Sequence, residues 1–233
     1  MAQVVCEWGL PGIEMLRSTA TVFVIVDVLS FSTAVSVATD TGAEVIPFPW
    51  GDADAAREEA ARQSAIAASP KRAAGGQLSL SPASLRHVVR GTRLLLPSPN
   101  GSRLSLATGE VPTLCGCLRN YKSVAEAVQA MRLDGLVAVI PAGERWADGS
   151  LRPAIEDWIG AGAIISAIEA EVSAEAAVAR AVFAAAANDL ASVIRTCMSG
   201  RELIERGFGE DVEIALEVGS SKRAPRLIDG AYR

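Results

Sequence analysis

Asp27 follows the apolar run 22–26 (VFVIV) and precedes Val28, Leu29 and a hydroxyl cluster of Ser30, Ser32 and Thr33. A carboxylate beside hydroxyls and the free backbone N–H groups of a helix start can handle a cation and an anion together. The same residues also make an ordinary helix cap, and this stretch alone supports both readings equally. A second acidic pair, Glu156-Asp157, lies near the start of an apolar stretch that begins at Pro153. Its carboxylates either complement a helix dipole or ligate Mg²⁺, which takes oxygen ligands and bridges to phosphate; spacing alone favours the dipole.

Three further turns carry hydroxyls, an amide or cations: 98–102 (SPNGS), 116–120 (GCLRN) and 143–145 (GER). Each makes an ordinary turn by itself. Their recurrence after successive apolar runs suits an oxyanion such as phosphate, sulfonate or carboxylate. Several phosphate chemistries are excluded on pattern. There is no GxxxxGK[ST] loop, no cysteine followed by arginine at phosphatase spacing, and no second aspartate two residues after Asp27. The single histidine, His87, lacks an arginine-histidine-glycine context and follows Ser81-Pro82, a helix-start signal. A catalytic triad or multi-histidine metal centre would hang on that one residue.

The elements that must position these residues follow from periodicity. Residues 21–26 read as a strand buried on both faces, and 34–40 as a helix closed by Gly42. Strands are predicted at 44–48, 92–96, 111–115 and 136–140, with an edge strand at 4–8 and a turn at 9–12. Helices are predicted at 52–68 and 123–131, from Pro153, through 189–197 and over 199–206, with a loop around Gly75-Gly76. This alternation predicts an α/β fold: a mainly parallel or mixed sheet with helices on both faces and a helix-rich C-terminal half from about 153. One compact domain over 1–233 is expected, with the four polar turns gathered at one end of its sheet.

The chain has 233 residues, half of them apolar, and a formal charge of −5. That supports a large core and argues against a nucleic-acid surface. No signal sequence or membrane-spanning run is predicted. Cys6, Cys115, Cys117 and Cys197 lack ligand spacing and read as reduced thiols of a cytoplasmic protein. The apolar helices after Pro153 lead us to expect a homodimer.

In order, VDVLSFSTA, AAGGQLSLSP, PSPNGSR, GCLRNYKSVA, PAGE, IEDWIGAGAII and SGRELIERGFGEDVEIAL resemble the 2-phosphosulfolactate phosphatase family over 22–216. The resemblance implies an α/β fold of its own topology and an Mg²⁺-dependent hydrolase. Such an enzyme releases phosphate from 2-phosphosulfolactate, a step towards coenzyme M. It implies that Asp27, Glu156 and Asp157 hold the metal, with Asp27 catalytic and metal-activated water the nucleophile. It also implies that Ser32, Thr33, Asn100, Gly101, Ser102, Arg119, Asn120 and Gly143 cradle the phosphate of a small anionic substrate.

The chain departs from that family where Ser30 replaces an arginine, Pro97, Ser98 and Pro99 replace threonines, Gln77 and Leu78 replace a charged pair, and Leu80 replaces an asparagine. These departures leave a second reading: a non-catalytic anion-binding homologue. Asp27→Asn is expected to lower turnover and metal affinity while leaving folding largely intact.

Overall fold

The computed structural model describes residues 3–69, 72, 77–131 and 134–233. The loop predicted around Gly75-Gly76 falls outside them. In chain order the elements that matter for the site begin with β1 (Gln3–Cys6), α1 (Gly9–Leu16), β2 (Ala20–Val26), α2 (Phe31–Asp40) and β3 (Glu44–Pro49). They continue with α3 (Ala53–Arg62), β4 (Ile66–Ala67), β5 (Arg93–Ser98), α4 (Gly101–Ala107), β6 (Thr113–Gly116), α5 (Tyr121–Ala130) and β7 (Leu136–Pro141). A small hairpin, β8 (Glu144–Arg145) and β9 (Leu151–Arg152), leads into α6 (Ile155–Ser166), β10 (Glu171–Val172) and α7 (Ala174–Ala186). The C-terminal part holds α8 (Leu190–Thr196), α9 (Met198–Glu205), α10 (Gly209–Ala215), β11 (Leu227–Ile228) and β12 (Ala231–Tyr232).

The fold is α/β, built on two sheets rather than the one expected. The first runs β10-β1-β7-β2-β6 and is parallel throughout. The second runs β11-β12-β3-β5-β4, with its first two junctions antiparallel and the rest parallel. Val22 to Val26 of β2 are all fully buried, as a strand covered on both faces requires. Burial of each such side chain is worth about 1.5–3 kcal/mol, so this run anchors the core.

Sequence periodicity could not see the second sheet, because the chain crosses between sheets through α2 and α4. α2 leaves β2 of the first sheet, packs on β6 and enters β3 of the second. α4 leaves β5 of the second sheet, packs on β2 and β3, and returns to β6. Buried from Phe31 through Thr39, α2 holds its hydroxyls inside by bonding them to backbone carbonyls, Ser32 and Thr33 to Ile25 O and Val28 O before the helix and Thr39 to Val35 O within it at 2.8 Å.

Local expectations were revised in three places. Residues 9–12 open α1 instead of making a turn. β1 is interior, between β7 and the two-residue β10, not an edge. The predicted helix at 52–68 stops at Arg62, because Ser64 takes φ +52° and Ile66 then pairs with Leu94 of β5. Helix propensity yields there to the pairing of β4 with β5. The 23-residue helical stretch Ala174–Thr196 is long and apolar enough, by length and composition, to cross a bilayer, which the sequence reading did not anticipate. It is broken by a 3₁₀ turn at Ala187–Asp189, and α7 packs on α6 through Ala176 and Ala179.

Candidate active site

Two helix N-termini meet at Asp27. Its Oδ1 accepts from the N–H of Phe31, the first residue of α2, at 3.1 Å. Its Oδ2 accepts from the N–H of Gly101, the first residue of α4, at 2.9 Å. One carboxylate therefore ties the carboxyl ends of both sheets together and caps a helix from each. The approach of α4 requires glycine: a Cβ on Gly101 would lie 2.2 Å from the Phe31 ring. Burial raises Asp27 above the ordinary carboxylate range, the two N–H groups and Arg72 pull it down, and the charge of Glu156 pushes it up.

Asp157 makes a parallel clamp. Its Oδ1 accepts from Val28 N at 2.7 Å and its Oδ2 from Gly143 N at 2.9 Å, joining the ends of β2 and β7. Gly143 takes φ +68°, and a Cβ there would lie 2.7 Å from Leu151 Cδ1 and 3.0 Å from Arg152 O. Burial, then the charges of Asp27 and Glu156, hold Asp157 well above its usual range. Glu156 is buried beside it, and burial followed by the Glu156 charge pushes the Cys197 thiol up to about 12.

Beside Asp27 opens a cavity of about 520 Å³ whose wall includes Ser30, Arg72, Ser98, Asn100, Glu144 and Arg206. Glu144, at the start of the β8–β9 hairpin, accepts from Asn100 Nδ2 at 2.9 Å. Burial and the nearby Asp27 charge raise it to about 7, a value suited to proton transfer near neutral pH. Ser98 is buried, and its hydroxyl is the one buried side-chain polar atom without a hydrogen-bond partner among the described residues. An orphaned hydroxyl on a cavity wall is a vacancy for a ligand acceptor or donor.

The structure sorts the sequence-nominated residues into two groups. Asp27 and Asn100 line the cavity. Gly101 and Gly143 spend their N–H groups on the Asp27 and Asp157 carboxylates. Ser32 Oγ accepts from Asp27 N and donates to Ile25 O, Thr33 Oγ1 donates to Val28 O, and Ser102 Oγ donates to Leu96 O. Asn120 closes its own turn, accepting from Cys117 N and donating to Cys115 O. Arg119 donates to Asp40, Glu217, Ser36 and Ile214 O at the far end of α2. Hydroxyls and amides picked out by their turns thus hold those turns together, and Arg119 lies away from the cavity.

Glu144, Arg72 and Arg206 were not singled out from the sequence, and Ser98 only as the start of the 98–102 turn and as a departure from the family. Glu144 had a visible signal, as the acid of PAGE. Arg206 lay inside the SGRELIERGFGEDVEIAL segment, and Arg72 had no signal, since it joins the site only in three dimensions.

The sequence model of the 2-phosphosulpholactate phosphatase family matches residues 13–230. A curated 2-phosphosulfolactate phosphatase of Methanothermobacter thermautotrophicus is 33% identical over 214 residues, covering 89% of this chain and 87% of its own length. The chain belongs to the 2-phosphosulpholactate phosphatase family. As a member of this family of phosphoric monoester hydrolases, it presents an oxygen-only acidic donor set. Burial and the Glu156 charge raise Asp27, and burial with the Asp27 and Glu156 charges raises Asp157, so these carboxyls call for a proton or a cation beside them. Among the described residues no three acids, thiols or imidazoles close into a metal cage. One or two carboxylates are the protein share that Mg²⁺ takes, the rest of its shell being water and substrate phosphate.

Proposed function

We propose that this protein is an Mg²⁺-dependent phosphatase of 2-phosphosulfolactate, releasing sulfolactate and phosphate. The observation that carries this is the cavity itself. In a member of that family, it sets Asp27 and Glu144 opposite two arginines and leaves the Ser98 hydroxyl free for a ligand. Asp27 and Glu156 would hold the metal, with Asp157 behind them fixing the ends of β2 and β7. When bound, the metal would neutralise charge on the phosphoryl oxygens.

The chain's own groups then have distinct tasks. Ser98 and Asn100 orient the phosphate. The proton that Glu144 retains near neutral pH goes to the oxygen leaving phosphorus as water attacks from the opposite side; the proton that water loses leaves with the phosphate or to solvent, and solvent reprotonates Glu144. Asn100 holds the Glu144 carboxyl in place through its Oε2. The free thiols of Cys6, Cys115, Cys117 and Cys197 agree with a cytoplasmic setting for this reaction.

The test is phosphate release from 2-phosphosulfolactate by purified protein, with Mg²⁺ and after chelation. Release that depends on Mg²⁺ is expected. No release from this substrate or a panel of small acidic phosphomonoesters would refute the reading.

A further inference from the structure

Two guanidiniums of the cavity wall share one aromatic ring, and the reaction just described uses neither. Arg72 Cζ lies 5.8 Å and Arg206 Cζ 5.9 Å from the centre of the Phe208 ring. Resting on the proposed phosphatase reading, we propose that Arg72 and Arg206 form the subsite for the substrate's second anionic group, the sulfonate or carboxylate that is not transferred.

The charge balance at this end of the cavity supports the assignment. Arg72 is nearly buried, its side chain 11% exposed, with Nη1 on Asp211 Oδ2 at 2.6 Å and Nη2 on Ser30 Oγ. The other oxygen of Asp211 is taken by Ser81 Oγ at 2.5 Å and Ala83 N at 3.2 Å. Asp211 is therefore committed to Arg72 and to the start of the 3₁₀ helix Pro82–Leu85. Arg206 is exposed and has no ion pair among the described residues. One carboxylate for two guanidiniums leaves a net positive charge here, while Asp27 and Glu144 stand on the same cavity's wall. Burial weakens the hold of Arg72 on its proton, Asp211 and Asp27 strengthen it, and the like charge of Arg206 weakens it again. An anion between the two arginines would relieve that repulsion.

Phe208 fixes the pair without supplying an acceptor, so the guanidinium edges keep donors for a ligand. Leu29, Leu80 and Trp50 line the same cavity and offer apolar contact to the carbons that join the two anionic groups. A small molecule carrying phosphate at one end and a sulfonate or carboxylate at the other matches this polarity.

The test separates the subsite from the chemistry. Isothermal titration of the whole chain with sulfolactate, which carries no phosphate and cannot turn over, should show binding that Arg206→Gln weakens about tenfold or more. Lactate in the same titration identifies the group held: a sulfonate subsite leaves lactate binding insensitive to Arg206→Gln, whereas a carboxylate subsite weakens both ligands alike. In turnover, Arg206→Gln should raise KM for 2-phosphosulfolactate about tenfold and leave phenyl phosphate, with its uncharged tail, unaffected. Arg72→Lys, which keeps charge but loses the planar fork, should give a smaller rise, with thermal unfolding as its folding control. Unchanged sulfolactate affinity in Arg206→Gln, or equal loss on phenyl phosphate, would overturn the subsite. Arginine-dependent sulfolactate binding without any phosphate release would overturn the phosphatase reading and leave the subsite standing.

Discussion

The two ends of α2 carry the same kinds of residue and do opposite things. At the C-terminal end, Arg119 is buried, with Asp40 Oδ2 on Nη2 at 3.0 Å, Glu217 on Nη1 and Ser36 Oγ on Nε at 3.3 Å. Asp40 is completed by the Ser221 hydroxyl at 2.6 Å. Two acids there face two cations, since Glu217 also pairs with Arg86 at 2.5 Å, and every nitrogen of the Arg119 guanidinium has an acceptor. At the N-terminal end, Arg72 pairs with Asp211 while Arg206 has no ion pair among the described residues, a serine hydroxyl lacks a partner, and about 520 Å³ of space opens beside them. A buried arginine with saturated hydrogen bonds is a structural tie; one beside unfilled capacity is a place where a ligand completes the site.

The largest effect expected from breaking this contrast is at Asp27. Asp27→Asn should lower kcat/KM on 2-phosphosulfolactate by about 10³-fold or more and weaken the Mg²⁺ dependence. The sequence reading expected folding to survive, since asparagine can cap a helix. The structure revises that: both oxygens accept N–H groups, and the amide's NH₂ would face one of those donors. A loss of about 1–3 kcal/mol in urea unfolding is therefore expected alongside the lost turnover. Wild-type turnover in the variant would remove Asp27 from the reaction and make both ends of α2 structural.

Arg119→Met tests the other end. It leaves Asp40 without its cation while Glu217 keeps Arg86, and because both acids are partly exposed a loss of about 1–3 kcal/mol is expected in denaturant unfolding. KM of the folded protein for 2-phosphosulfolactate should stay within about twofold of wild type. A large rise in KM with unchanged stability would reverse the roles assigned to the two ends.

Glu144 sharpens the comparison through pH. Its carboxyl is raised from 4.5 to about 7, so the folded state keeps a proton that the unfolded chain has released. Stability due to this group is therefore greatest below about 4.5, declines as pH rises, and levels off above about 7. The whole decline is about 3 kcal/mol at most. Without divalent cations, wild type should lose stability relative to Glu144→Gln across that window, read by thermal unfolding at matched pH. As a proton donor, Glu144 should also give kcat a basic limb near pH 7 that Glu144→Gln abolishes.

Ser98→Ala has the smallest expected effect. Removing a buried, unpartnered hydroxyl should stabilise the protein or leave it unchanged, by up to about 1 kcal/mol. It should also raise KM by about three- to tenfold. A clear loss of stability would mean that Ser98 has a structural partner after all.

Much of this protein was legible in its sequence for a physical reason. The β2 run, the hydroxyls after Asp27, the Asn100-Gly101 turn and the Glu156-Asp157 pair are local signals, and each element forms much where its periodicity placed it. The motif order also carried the family, because spacing along the chain survives folding unchanged. Only the tertiary structure decided which polar groups are free. Ser32, Thr33, Ser102 and Asn120 look like ligands in one dimension, but carbonyls five to seven residues earlier in their own turns consume them, and Arg119 is taken by acids from distant segments. Position 30 lacks the family's arginine, yet Arg72 reaches Ser30 Oγ from a separate loop and returns a guanidinium to that corner. The value of about 7 at Glu144 likewise arises from burial against Asp27, over a hundred residues away along the chain. A sequence fixes which donors, acceptors and charges exist; which of them remain unsatisfied depends on contacts between distant segments, and that remainder is what a substrate meets.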